Sequence, residues 1–231
     1  MHLDPFRLVV VLLAASSLHA QTALSPANSK AADFAQLHHY RAANGALPQP
    51  NTSRVVFLGD SLTEYWGSRS GTWFSNPQWI NRGIGGQTTQ QLLLRERDDA
   101  IALRPRALVI EGASNDMRLG FTPEAIRDNI ITLAEVAQAH HVRVYIASMT
   151  PVCDCMRPLT GARTVERIHQ LNVLLKALCH EHHWQYLDLN TALADANGRM
   201  REELTVDGVH PNDAGYKLLT PIVLRALRAY R

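Results

Sequence analysis

Val55-Val56-Phe57-Leu58-Gly59-Asp60-Ser61-Leu62-Thr63-Glu64 is an apolar run that stops at a glycine and passes into an Asp-Ser pair. Four or five apolar residues ended by such a break read as a buried strand followed by a turn. In an open parallel sheet, ligands collect at the carboxyl ends of the strands. Ser61 therefore stands where a nucleophile would stand. Gly-Asp-Ser is also ordinary turn chemistry, so the rest of the chain has to decide between the two.

After this run the pattern alternates. Trp79-Ile80-Asn81-Arg82 reads as a second short strand closed by Gly83-Ile84-Gly85-Gly86, and Thr88 to about Leu103 as a helix stopped by Pro105. Ala107-Leu108-Val109-Ile110 is a third strand, ending in Glu111-Gly112-Ala113-Ser114-Asn115-Asp116. Thr122-Pro123 opens a helix with a cap and a proline at its first position, and this helix runs to about His141. Arg143 to Ala147 is a fourth strand, followed by a long loop from Met149 to Gly161. Thr164 to His183 then carries Ile168, Leu171, Leu175 and Leu178 on one helical stripe. Tyr186 to Leu189 is a fifth strand, and Asp213 to Tyr230 a closing helix. Strands alternating with helices predict a three-layer α/β/α sandwich around a mainly parallel, five-stranded sheet.

Before the first strand, Phe34, Leu37, Tyr40 and Ala43 recur at spacings of three and predict an amphipathic helix from Lys30 to Leu47, ended by Pro48-Gln49-Pro50. Earlier still, Arg7 precedes the apolar run Leu8 to Ala15, and Leu18-His19-Ala20 offers a small residue for cleavage. The run is too short to span a bilayer and fits a secretory signal; an uncleaved amino-terminal anchor is the alternative. The expected organisation is a signal peptide over 1–20, a polar tail and helix over 21–50, and the α/β domain over 51–231. The destination is then the periplasm or the exterior, with no stable membrane span after cleavage.

A formal charge of +2 without a basic run gives no sign of a nucleic-acid partner. No His-Glu-x-x-His or Cys-x-x-Cys spacing is present, so no metal is implied. Two of the histidine doublets, His140-His141 and His182-His183, fall near predicted helix ends. Cys153 and Cys155 stand two apart, an awkward spacing for a mutual bridge. The expectation is a bond from one of them to Cys179, or three unpaired thiols.

Residues able to do chemistry follow three strands in turn: Ser61, then Gly85-Gly86, then Asn115. In a parallel sheet these ends share one edge. A serine oxygen, backbone amides and a side-chain amide are the parts of an acyl-transfer site, with the N–H groups of Ser61 and Gly86 and Asn115 Nδ2 aimed at a developing oxyanion. Asp207-Gly208-Val209-His210 supplies the missing base. The spacing of three lets one loop present an imidazole to Ser61 and a carboxylate to the other ring nitrogen.

Gly59-Asp60-Ser61-Leu62, Gly85-Gly86, Gly112-Ala113-Ser114-Asn115-Asp116 and Asp207-Gly208-Val209-His210 resemble, in order, the blocks of the SGNH (GDSL) hydrolase superfamily. The stretch Asn81 to Thr89 is similar to the subgroup that includes platelet-activating-factor acetylhydrolase catalytic subunits. The resemblance implies a flavodoxin-like sandwich and cofactor-free esterase or lipase activity. By its motifs Ser61 is the nucleophile, His210 the general base and acid, and Asp207 its orienter. Ser61, Gly86 and Asn115 would form the oxyanion hole.

Glu111 stands where relatives usually carry a small or apolar residue; it is expected to pair with Arg82 or, alternatively, to hold a raised pKa. Tyr65, Trp66, Trp73 and Trp79 offer flat contacts to a sugar or acyl chain, or pack as core. The predicted activity is hydrolysis of short-chain, chiefly acetyl, esters, with acetylated carbohydrate as a candidate substrate. A lysophospholipase or thioesterase of the same fold, and a non-catalytic glycan-binding protein, are the alternatives.

Overall fold

The computed structural model describes residues 33–228. Val55–Gly59 (β1), Trp79–Gly83 (β2), Ala107–Ile110 (β3), Arg143–Ala147 (β4) and Gln185–Leu187 (β5) form one sheet in the order β2-β1-β3-β4-β5. All its pairings are parallel, with Val55 opposite Trp79 on one side and opposite Ala107 on the other. This is the flavodoxin-like order, in which the chain reverses direction across the sheet between β1 and β3.

Side chains alternate between the two faces. Val56, Leu58, Leu108, Ile110, Val144 and Ile146 form one core with the helices Thr89–Asp99 (α3), Pro123–Ala139 (α5) and Val165–Glu181 (α6). Val55, Phe57, Val109, Tyr145 and Leu187 form the other with Asp213–Arg228 (α8). Because both faces are covered, the strands read as continuous apolar runs rather than as alternating ones. The sandwich expected from the sequence is the one observed. No helix among the described residues is long and apolar enough to cross a membrane.

Four short helices complete the described set: Arg41–Gly45 (α1), Ser61–Tyr65 (α2), Ser114–Arg118 (α4) and Asn190–Leu193 (α7). Of the helix expected over 30–47, the described residues 33–47 hold only α1, preceded by turns. Gln36 takes a positive φ of 56°, which interrupts helical continuation. Phe34 and Leu37 are left exposed while Ala35 is buried. What α1 does instead is polar: Asn44 Nδ2 donates to Asp99 Oδ1 at 2.8 Å, and Tyr40 Oη donates to the Gly83 carbonyl. The signal peptide expected over 1–20 falls outside the described residues. The histidine doublets do close helices, with His140 and His182 as C-caps and His141 and His183 in the left-handed region.

The cysteine expectation is corrected. Cys153 bonds Cys155, and Cys179 is a free, buried thiol on α6. The Cα atoms of the bonded pair are 5.3 Å apart, inside the range a bridge spans. The aromatic residues divide. Trp66, Trp73 and Trp79 pack with Phe57 and Phe74 in the second core, so they are structural. Only Tyr65 reaches the cavity at the strand ends.

One buried acid stands apart. Glu96, on the inner face of α3, has an Oε1 without a partner, and burial pushes its pKa from 4.5 up to about 8. Between those values the unfolded chain loses a proton that the folded chain keeps, so stability falls as pH rises. Glu96→Gln should therefore match wild type near pH 4.5 and melt higher by several degrees near pH 8. Thermal unfolding of both proteins across that interval measures it; a constant difference would contradict the shift.

Candidate active site

Ser61 is the first residue of α2, directly beyond β1. Asp60 caps that helix, its Oδ1 accepting from Leu62 N–H at 2.9 Å, as an N-cap aspartate does. The turn is tight. A Cβ at Gly59 would sit 2.2 Å from Thr63 Oγ1, and one at Gly83 only 2.1 Å from the Glu64 nitrogen. Tyr216 of α8 fixes the far side, its hydroxyl donating to the Leu62 carbonyl at 2.7 Å.

His210 reaches Ser61 from the loop before α8. Its Nε2 is 2.8 Å from Ser61 Oγ, and its Nδ1 is 2.8 Å from Asp207 Oδ2. The loop is built to hold this pair. Asp207 Oδ1 accepts from the backbone N–H groups of Val209 (3.0 Å) and His210 (2.9 Å), and Thr205 Oγ1 accepts from Gly208 N–H at 2.9 Å. Burial works to raise the Asp207 carboxyl. The hydrogen bonds from the His210 backbone and ring and from Val209 outweigh it and hold the group below its ordinary value. Gly208 has a φ of 91°, and a Cβ there would meet the Cys153 carbonyl at 2.6 Å. The Cys153–Cys155 loop is thereby docked against the histidine loop. The ring of Tyr65 leans on His210 with centroids 4.9 Å apart.

Gly86 and Asn115 border the same cavity. Gly85 N–H donates to Glu64 Oε2 at 2.8 Å. The N–H groups of Gly86 and Ser61 have no acceptor among the described residues. Gly86 needs its positive φ of 83°, and a Cβ there would meet nothing within 4 Å, so the position opens on the cavity. Asn115 Nδ2 donates to the Gln87 carbonyl at 3.0 Å and to Asp60 Oδ2 at 3.3 Å. It stands in the first turn of α4 behind Ala113, a non-glycine residue at φ 116°. Sparsely populated backbone of that kind persists where the surroundings over-determine it.

Glu111 does not pair with Arg82. Arg82 turns to Asn44 Oδ1 and the Asn81 carbonyl and lies against the Tyr40 ring. Glu111 Oε2 instead accepts from Thr63 Oγ1 at 2.9 Å and from Asp60 N–H at 3.3 Å. Burial, and then the Asp60 carboxylate beside it, push the Glu111 carboxyl well above its ordinary value. Asp60 is itself raised to about 6 by burial. Two carboxyls this close cannot both ionise cheaply, and Glu111 braces the turn from beneath.

Two residues that the sequence reading passed over tie these parts together. Arg95, fully buried on α3, donates to the Gly59 carbonyl at 2.8 Å, to Gln87 Oε1 at 2.5 Å and to Asp99 at 3.3 Å. Asp116 receives the N–H of Thr89, at the start of α3, at 3.0 Å. A signal for Arg95 existed: it falls one turn after Leu92, on the helix face that must be buried.

The cavity holding Ser61, His210, Gly86 and Asn115 encloses about 230 Å³. A hydroxyl, imidazole and carboxylate in line, beside uncommitted N–H donors, can deprotonate a nucleophile and hold a developing oxyanion. Among the described residues no group of three His, Cys, Asp or Glu is placed to hold a metal ion. A larger hollow of about 1430 Å³, between α8 and residues 71–76, contains none of the site residues.

Residues 57–218 match the GDSL-like lipase/acylhydrolase family model. The chain belongs to that family, and with it to the carboxylic ester hydrolases. It is 28% identical over 200 residues to human platelet-activating factor acetylhydrolase IB subunit alpha1, covering 84% of this chain and 80% of that one. Its fold matches the crystal structure of a GDSL-like lipase from Bacteroides thetaiotaomicron at a TM-score of 0.79 and 29% identity, over 86% of this chain and all of the other. A mutant of an acetyl-xylooligosaccharide esterase from Geobacillus shares the fold alone, with a TM-score of 0.61 and 18% identity over 78% of this chain and 95% of that one.

The brace makes a specific prediction. Glu111→Gln preserves both an acceptor and a donor, and should unfold within about 1 kcal/mol of wild type in urea. Glu111→Val strands the Thr63 hydroxyl and the Asp60 N–H and should cost about 2 kcal/mol or more. Equal losses for the two variants would contradict the brace.

Proposed function

We propose that the protein is a serine esterase that removes short acyl groups, chiefly acetyl, through a covalent acyl-enzyme, with O-acetylated carbohydrates as its substrates. The observation that carries this reading is the unbroken line from Ser61 Oγ through His210 to Asp207, 2.8 Å at each link. His210 takes the Ser61 proton as the oxygen attacks the ester carbonyl, while Asp207 fixes the ring tautomer and stabilises the imidazolium. His210 then protonates the departing alcohol and afterwards activates the water that frees the acid.

The oxyanion is received by the N–H groups of Ser61 and Gly86 and by Asn115 Nδ2. The longer of the two Asn115 bonds, 3.3 Å to Asp60, is the one an oxyanion replaces. Such contacts often tighten only when substrate is present.

A short acyl group is supported by the small cavity, about 230 Å³, and by likeness to a protein whose name is acetylhydrolase. Carbohydrate is supported by a lining rich in polar groups, Ser114, Thr150 and Asn115 among them. Export, inferred from residues 1–20, places such an enzyme where acetylated glycans occur.

A fluorophosphonate probe should label wild type on Ser61 and leave Ser61→Ala unlabelled; no labelling of the folded protein would overturn the enzyme reading in favour of a binding role. Asn115→Ala should lower kcat by roughly 10²–10³, and an unchanged rate would remove Asn115 from the oxyanion hole. Across acetyl, butyryl and octanoyl esters the acetyl ester should turn over fastest. A clear octanoyl preference would favour a lysophospholipase or thioesterase.

A further inference from the structure

The cavity that holds Ser61 and His210 is also lined by Arg118, Arg157 and Arg163. Arg163 is only 4% exposed. Its Nη1 donates to Ser114 Oγ at 3.2 Å and its Nη2 to the Leu159 carbonyl at 2.6 Å, while its Nε is buried with no partner. Arg118 follows Asn115 by three residues on α4, the spacing that puts two side chains on one helix face. Arg157 comes from the loop that begins at the Cys153–Cys155 bridge. Arg118 and Arg157 are exposed and make no hydrogen bond or ion pair among the described residues.

Acids line the same cavity, but each is committed elsewhere. Asp207 serves His210, Asp60 holds Leu62 N–H and Asn115, and Glu111 holds Thr63. None forms an ion pair with the three arginines. Burial first, and then the neighbouring Arg118 charge, hold the Arg163 guanidinium below its ordinary pKa. Like charges gathered at a partly buried wall are costly until an anion joins them. The planar donor forks of arginine match carboxylate, sulfate and phosphate oxygens.

We propose that Arg118, Arg157 and Arg163 form an anion subsite beside the reacting serine, and that the substrate is an ester carrying a carboxylate, sulfate or phosphate. For an acetylated carbohydrate this means an acidic sugar. The inference rests on the esterase reading and adds to it the charge of the substrate.

The test compares the full chain with its Arg118→Gln/Arg157→Gln double variant on three esters. These are neutral para-nitrophenyl acetate, mono-para-nitrophenyl succinate with its charge on the acyl part, and para-acetoxybenzenesulfonate with its charge on the alcohol part. Taking the ratio of kcat/KM for each anionic ester to that for the neutral one cancels intrinsic reactivity when the two proteins are compared. At least one ratio should fall about tenfold or more in the variant. The same ratio should fall in wild type as salt is added. Whichever ester responds identifies the side of the scissile bond that the arginines hold. Both ratios unchanged within about twofold, in a variant with native circular dichroism, would overturn the subsite. Hydrolysis of none of the three esters by wild type would overturn the esterase reading, and the subsite with it.

Discussion

A single buried guanidinium holds the strand ends in register with one another. Arg95 grips the carbonyl of Gly59, the last residue of β1, and the side chain of Gln87, the residue after the glycine pair. The Gln87 carbonyl in turn receives Asn115. The helix that carries Arg95 is tied at its first turn to Asp116, the neighbour of Asn115. A closed ring of hydrogen bonds therefore links the three loops whose residues border the cavity. Such a charge is tolerable in the interior only because Asp99 and several acceptors satisfy it. Losing one member of such a pair costs far more than the pair contributes.

Beneath that ring the carboxyls sit in opposed environments. Asp207 is held below its ordinary value by bonds from the His210 backbone and ring and the Val209 backbone, and Glu111 is pushed well above its own by burial beside Asp60. A carboxyl thus bonds the imidazole at one side of Ser61, and another braces the turn at the other. Opposed environments for like groups are a common mark of a catalytic centre.

The fold was legible because both faces of the sheet are covered. Each strand then appears as a short apolar run, and each connection as a helix with its own cap, as at Thr122-Pro123. Ser61, Gly86 and Asn115 were legible because each follows a strand, and Asp207 and His210 because their spacing of three fits one loop. Much else was not. Helices α2 and α4 have five residues each, too few to show a period, although they carry Ser61 and Asn115.

Glu111 looked like a partner for Arg82, but Thr63 and the Asp60 N–H lie nearer in the fold than any cation does. A separation of two is awkward for a Cys153–Cys155 bond; the loop's course puts the Cα atoms 5.3 Å apart. The amino-terminal stripe Phe34, Leu37, Tyr40 had helical spacing, yet Asn44 and Tyr40 dock by hydrogen bonds while Phe34 remains exposed. Periodicity reports burial, and polar docking leaves no period to read.

The proposed reaction requires Ser61 to form a covalent bond to the acyl group. Rapid mixing of the protein with para-nitrophenyl acetate, followed by acid quench and mass spectrometry, tests that directly. The expected result is a burst of nitrophenol matching the enzyme concentration, and one acetyl group on the peptide containing Ser61. Steady hydrolysis with neither a burst nor an acetylated Ser61, when deacylation is slowed at low temperature, would contradict it.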